Sequence, residues 1–94
     1  MEFKEEKNRV LLLDDGIEAG ELTWSSAGDS FVIFDHTYVD DFYRGQGLAK
    51  KLLEEGVKIQ KRDGKKIMPL CPFVKREFTA NPEVYKDIWY GYSA

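Results

Sequence analysis

With 94 residues, the chain has room for one hydrophobic core and not for two. Hydrophobic residues make up 43% of the sequence and aromatic residues 14%, which suits helices packed on one sheet and excludes a disordered chain. The net charge of −3 argues against broad nucleic-acid binding, because that function needs a basic face. No apolar run approaches the ~20 residues that span a membrane. We therefore expect a single domain over residues 1–94 that binds neither nucleic acid nor membrane.

Two features predict a cytoplasmic protein. The first residues, Met1–Glu6, lack the charged and apolar regions of a signal peptide. The one cysteine, Cys71, has no partner for an internal disulfide, which suits a reducing compartment. Cys and His also show no metal-ligand spacing, so we expect no metal, and we expect a monomer or a weak homodimer.

The first third of the chain has the pattern of antiparallel strands. The apolar run Val10–Leu13 stops at Asp14-Asp15-Gly16, a hairpin signal because glycine tolerates positive φ. In the next strand Leu22 and Trp24 share one face, and Ser25–Asp29 then predicts a second turn.

A longer strand is predicted from Phe31 to Val39. Simple alternation puts its even-numbered side chains on one face and its odd-numbered ones on the other: Val32, Phe34, His36 and Tyr38 against Phe31, Ile33 and Thr37. Apolar residues on both faces predict a central strand that is covered on both sides over part of its length.

The hydrophobic period changes to that of a helix after Gly47, with a stripe at Leu48, Leu52, Leu53 and Val57. This helix should end near Gly64, and Lys66–Cys71 predicts a strand that Pro72 terminates. The tail predicts helix over Phe73–Thr79 and a second segment with Asn81 as N-cap and Pro82 at its first position. The elements together predict an α+β fold, in which an antiparallel meander leads into a β-α-β unit and helices pack on one mixed sheet.

The stretch Arg44–Ala49 puts two glycines and an arginine between the long strand and the first turn of the helix. The first N–H groups of a helix have no internal partner, and glycines let an anion approach them closely. Phosphate is the obvious ligand, although a plain strand-to-helix turn explains the spacing equally well. A P-loop would need Lys-Ser/Thr where Leu48-Ala49 stand. A dinucleotide fingerprint would need a glycine at Lys50 and an acidic residue on the next strand, whereas Asp63 falls in a turn.

Three blocks of the sequence together resemble one family. Arg44–Ala49 matches the Arg/Gln-x-x-Gly-x-Gly/Ala signature of the GNAT acetyltransferase superfamily. The block His36-Thr37-x-Val39 before it, and Pro69-x-Cys71-Pro72-Phe73-Val74 with Asn81-Pro82-Glu83 after it, resemble the small YjdJ-type N-acetyltransferase domain. The resemblance extends from about Val10 to Trp89 and implies a GNAT-like fold that binds acetyl-CoA.

The resemblance also implies a pose for acetyl-CoA, with its pantetheine arm along the strand end and its pyrophosphate on the glycine turn. The cofactor-binding residues implied in this way are Thr37, Tyr38, Val39, Arg44, Gly45, Gln46, Gly47, Leu48, Ala49, Pro72 and Phe73. Lys50 or Lys51 could also reach a phosphate, although solvated lysines on a helix face are the simpler interpretation.

Three residues are candidates for catalysis. The resemblance puts Cys71 beside the thioester, where it could carry the acetyl group or could pack as a buried hydrophobe. His36 could act as a base, but a site-lining or structural role is favoured. Many enzymes of the resembled family protonate the leaving CoA thiolate with a tyrosine on their last helix, and Tyr85 is the best-placed candidate for that role. Tyr85, Ile88, Trp89 and Tyr92 have helical spacing, however, which first indicates core packing.

The predicted function is acetyl transfer from acetyl-CoA to an unidentified amine. Related enzymes build the acceptor pocket from helices between their first strands, whereas Asp14–Ile17 is only a hairpin here. A CoA-binding module without turnover, acting as a sensor or a partner-dependent subunit, is therefore the alternative. The third and least favoured hypothesis is an interaction domain whose glycine turn has no ligand.

Overall fold

The computed structural model describes residues 1–93. Its elements are β1 (Glu2–Glu6), β2 (Arg9–Asp14), β3 (Ile17–Ser26), β4 (Phe31–Val39), a 3-10 turn (Asp41–Tyr43), α1 (Leu48–Arg62), β5 (Lys66–Pro69), α2 (Pro72–Ala80) and α3 (Pro82–Tyr85). Within that part of the chain, no helix is both long enough and apolar enough to cross a lipid bilayer.

The five strands form one mixed sheet in the order β1-β2-β3-β4-β5. The first four are antiparallel neighbours, and β5 returns parallel to β4 after α1. One hydrophobic core joins the sheet to the three helices, with Leu22, Phe34, Leu52 and Phe78 completely buried. The predicted α+β fold, with its meander and β-α-β unit, is therefore confirmed.

The turn between β2 and β3 is the predicted hairpin. Asp15 and Gly16 have φ of 50° and 84°, as a two-residue turn between twisted strands requires. β1 was not predicted, because Glu2–Glu6 contains one apolar residue among charges. It is an edge strand held by backbone pairing with β2, so it needs no alternating hydrophobic pattern.

The predicted faces of β4 are wrong beyond Phe34. The pairing with β3 shifts there: Trp24 lies opposite Phe34, but Thr23 lies opposite His36, so Asp35 is an extra residue in β4. This bulge moves Thr37 onto the face of the buried Phe34 and leaves His36 on the opposite, exposed face. A reading of strict alternation cannot detect one inserted residue.

The segments around β5 and after α2 differ in detail from the prediction. β5 ends at Pro69 rather than Cys71. Asn81 is the N-cap of α3 with Pro82 at its first position, as predicted, but its side chain makes no capping hydrogen bond there. It donates instead to the carbonyl oxygen of Glu77, at the end of α2, at 3.1 Å.

The helical pattern predicted from Tyr85 to Tyr92 also ends early, because α3 stops at Tyr85. The chain then runs beside the free edge of β5, where the Ile67 N–H donates to Ile88 O at 2.7 Å and the Tyr90 N–H to Ile67 O at 2.8 Å. Those bonds satisfy backbone groups that a longer helix would leave unpaired. Core packing of Tyr85 and Ile88 is confirmed, since each is 4% exposed.

Candidate functional site

A cleft of about 440 Å³ lies where β4 ends and α1 begins. Its walls come from the end of β4, the glycine turn, the first residues of α1 and one side of α2. The lining residues are Thr37, Val39, Tyr43, Arg44, Gly45, Gly47, Leu48, Ala49, Phe73 and Arg76. The cleft is therefore built by the segment that the sequence singled out, together with α2, which begins at Pro72.

The floor of the cleft is a strand edge without a partner. The parallel pairing of β4 with β5 ends at Phe34 opposite Pro69. The N–H groups of Leu70 and Cys71 then both donate to Phe34 O, at 3.2 and 2.9 Å, and the chain turns away into α2. β4 continues to Val39, and within residues 1–93 no strand pairs with this last part on the β5 side. The free backbone groups can accept an extended ligand as an added strand.

The glycine turn gives the cleft an uncompensated helix N-terminus. Gly45 and Gly47 have φ of 83° and 72°, in a backbone region that residues with a Cβ atom rarely adopt. Gly47 is the N-cap of α1 and supplies no side-chain hydrogen bond, and the first turn of α1 has no acidic residue. Its first N–H groups and the positive end of its dipole are therefore available to an anion.

A short 3-10 turn fixes the start of this loop. The Asp40 carboxylate accepts the Phe42 N–H at 3.0 Å, and the Tyr43 hydroxyl donates to Asp14 Oδ2 at 2.8 Å. That hydrogen bond to a carboxylate, together with burial, raises the pKa of Tyr43. Tyr43 is 8% exposed, so its ring anchors the glycine turn to the end of β2.

Two arginines border the cleft. The Nε of Arg44 forms an ion pair with Asp41 Oδ1 at 2.8 Å. The Arg76 guanidinium lies over the ring of Phe73, 5.8 Å from its centroid, on the α2 wall. Lys50 and Lys51 are exposed and do not line the cleft.

Most of the residues that the resemblance assigned to the cofactor line this cleft. Tyr38, Gln46 and Pro72 do not: all three are exposed, and Tyr38 points to the opposite side of β4. Tyr43 and Arg76 line it without having been predicted. A signal for Arg76 was present, because Phe73 and Arg76 are three residues apart in a predicted helix and so share a face.

Cys71 lies just behind the wall of the cleft. Its Sγ is 3.5 Å from Thr37 Oγ1, and it is 6% exposed. Thr37 lines the cleft and Cys71 does not, so one side chain separates the thiol from the open space.

The other two catalytic candidates lie away from the cleft. His36 and Thr37 lie on opposite faces of β4, as predicted, and His36 is exposed. The His36 ring is nearly parallel to that of Tyr38, with 6.4 Å between the centroids. Tyr85 stacks on Phe78 in the core at 4.5 Å, and burial raises its pKa. Neither side chain lines the open space between α1 and α2.

Known proteins share this architecture. The family model for the GCN5-related N-acetyl-transferase domain matches residues 9–88, so the chain belongs to the GCN5-related N-acetyltransferase (GNAT) family. The solution structure of a GCN5-like candidate N-acetyltransferase from Staphylococcus aureus is similar over 98% of this chain and 90% of its own, with a TM-score of 0.75 and 29% identity. No curated protein matches the chain.

A larger enzyme has the same fold. The crystal structure of ribosomal-protein-alanine N-acetyltransferase from Brucella melitensis biovar Abortus 2308 is similar over 92% of this chain, with a TM-score of 0.58 and 20% identity. This chain covers 63% of that one. The likeness therefore concerns the fold, and the larger chain has additional elements.

Proposed function

We propose that this protein binds acetyl-CoA in the cleft between α1 and α2 and transfers the acetyl group to an amine. The observation that carries the proposal is the meeting of two complementary features in one cleft. A free strand edge can pair with an amide-containing arm, and an uncapped helix N-terminus beside it can hold a phosphate.

The residues present suit the chemical groups of acetyl-CoA. The pantetheine arm contains two amides, which can exchange hydrogen bonds with the backbone of Thr37–Val39. The pyrophosphate needs several N–H donors without a side chain in the way, and an added Cβ on Gly45 or Gly47 would touch nothing within 4 Å. The turn is therefore sterically open to a phosphate.

Acetyl-CoA would supply an activated thioester. The chain's own contribution would be mainly to position the reactants, because the side chains at the floor of the cleft offer no free base. Thr37 contacts Cys71, and the Tyr43 hydroxyl donates to Asp14. Backbone N–H groups along the β4 edge can stabilise negative charge that develops on a carbonyl oxygen. The acceptor amine would therefore have to arrive in its neutral form or lose its proton to water.

Cys71 offers a covalent alternative to direct transfer. Its thiol contacts Thr37, which lines the cleft, so this route requires the Thr37 side chain to move aside. Mass spectrometry after incubation with acetyl-CoA tests this route, with Cys71→Ala as the control. A single acetyl adduct that is absent from Cys71→Ala would support a carrier role. If the protein stays unmodified while it still turns over acetyl-CoA, the carrier role is excluded and direct transfer to the amine remains.

The proposed function is tested by calorimetry with acetyl-CoA, followed by measurement of CoA thiol release in the presence of mixed primary amines. We expect saturable binding and release that depends on both protein and amine. A protein that neither binds acetyl-CoA nor accelerates thiol release would contradict the proposal.

A binding module without turnover is the second candidate, and one observation favours it. β2 and β3 are joined by a two-residue turn, so no helix stands between the first strands to form an acceptor pocket. Tight acetyl-CoA binding without thiol release against any amine would favour this function. Rapid release would exclude it.

A further inference from the structure

The cleft has a second wall with a cation of its own. Arg76 belongs to α2 and lines the same cleft as the glycine turn, which leads into α1. The turn presents backbone N–H groups, whereas α2 presents a guanidinium. An anion with more than one phosphate could therefore contact two helices at once.

The two cleft arginines differ in their partners. Arg44 is engaged by Asp41 at 2.8 Å. Arg76, in contrast, forms no ion pair and no side-chain hydrogen bond with any of the residues that the structure describes, 1–93. It lies in the cleft as a cation without a counterion.

Phe73 lies beside this cation. The Arg76 guanidinium lies over the Phe73 ring at 5.8 Å, and both residues line the cleft. A cation–π contact at this distance leaves the guanidinium N–H groups available, and those are the groups that bind phosphate oxygens in pairs.

We propose that Arg76 is a second phosphate-binding element of the cleft, so that the ligand is held from α2 as well as from the glycine turn. This inference rests on the proposed function and adds to it. The group recognised is a phosphate of coenzyme A, which is either the pyrophosphate or the 3′-phosphate of its ribose.

The test compares the affinity of wild-type protein and Arg76→Gln for CoA by calorimetry, with Lys75→Gln as the matched control. Lys75 is the exposed neighbour on α2, carries the same charge and does not line this cleft. We expect Arg76→Gln to weaken CoA binding by about 10-fold or more, because one charge-assisted hydrogen-bonded pair is lost. Lys75→Gln should change the affinity by less than about twofold, because the charge of Lys75 is solvated and salt screens its interaction with the ligand.

Dephospho-CoA distinguishes the two phosphates. If Arg76 binds the 3′-phosphate, wild-type protein should bind dephospho-CoA about as weakly as Arg76→Gln binds CoA, and the substitution should cost nothing further. If it binds the pyrophosphate, Arg76→Gln should lose the same factor for both ligands. Either pattern supports the inference. Arg76→Lys should recover part of the affinity, since it keeps the charge but loses the planar fork.

Three results would overturn the inference. These are an unchanged CoA affinity in Arg76→Gln, an equal loss in Lys75→Gln, or an equal loss for pantetheine, which has no phosphate. Thermal unfolding of each variant provides the check on folding, and an exposed side chain should change it little. If wild-type protein binds no CoA at all, the proposed function itself fails; if only the Arg76 effect is missing, the proposed function stands.

Discussion

The conformation of Gly47 allows a paired experiment that separates backbone strain from ligand binding. Gly47 begins α1 at the cleft with φ of 72°, and Gly64 follows the end of the same helix with φ of 69°. An added Cβ would meet nothing within 4 Å at either position. Gly47→Ala and Gly64→Ala therefore introduce the same left-handed strain, one at the proposed phosphate site and one at the other end of α1.

The effect on stability should be nearly equal for the two variants. A residue with Cβ in the left-handed region costs about 1–2 kcal/mol, with no packing clash to add to it here. For a domain of this size, each 1 kcal/mol lowers the melting temperature by roughly 4–8 °C. Thermal unfolding followed by circular dichroism measures this cost.

The effect on binding should be very different. Gly47 lines the cleft, so a methyl group there stands beside the N–H groups that would receive the phosphate. The loss of one charge-assisted hydrogen bond is worth about 1.5–3 kcal/mol, or roughly 10- to 100-fold in affinity for acetyl-CoA. Gly64→Ala should bind acetyl-CoA like wild-type protein at a temperature where both are folded. Equal affinities in all three proteins would refute the assignment of the turn to phosphate binding.

Three further predictions concern the strand, the core tyrosine and acid stability. Gly20→Ala should lower the free energy of unfolding in urea by about 1–3 kcal/mol, since the new Cβ would lie 2.6 Å from the backbone oxygen of Tyr38; an unchanged midpoint would contradict that close approach. Tyr85→Phe should leave CoA release within about twofold of wild type, because the stacked ring is kept; a large loss would make its hydroxyl the catalytic acid. For Asp35, burial raises the pKa, but hydroxyl donors on β3 outweigh it and the net pKa is lowered from 3.8. The ionised Asp35 carboxylate therefore stabilises the folded protein above that value, and this stabilisation is lost as the pH falls through the lower pKa of the folded state. Asp35→Asn should flatten the fall in the free energy of unfolding below about pH 4. An unchanged dependence of stability on acid pH would refute this.

The sequence predicted the elements whose patterns are local. The hairpin at Asp15-Gly16 and the helix from Leu48 follow from turn chemistry and from a helical hydrophobic stripe, and both are present. The edge strand Glu2–Glu6 and the early end of α3 at Tyr85 could not be predicted in this way, because both depend on backbone pairing with a neighbouring strand.

The candidate site shows the same limit. Alternation along β4 placed Thr37 on the wrong face, and only the pairing of β3 with β4 reveals that Asp35 is an inserted residue. Arg76 was not predicted, because its place in the cleft depends on how α2 packs against β4 and β5. The bulge and this packing are long-range features, which local periodicity does not contain.

The most direct test of the central claim is a titration of ¹⁵N-labelled wild-type protein with acetyl-CoA, followed by amide chemical shifts. We expect saturable shifts confined to the cleft, at Thr37–Val39, Arg44–Ala49 and the Phe73–Arg76 turn of α2, while Glu2–Glu6 of the edge strand stays unchanged. An absence of shifts at millimolar acetyl-CoA, or shifts centred on another surface, would contradict the account.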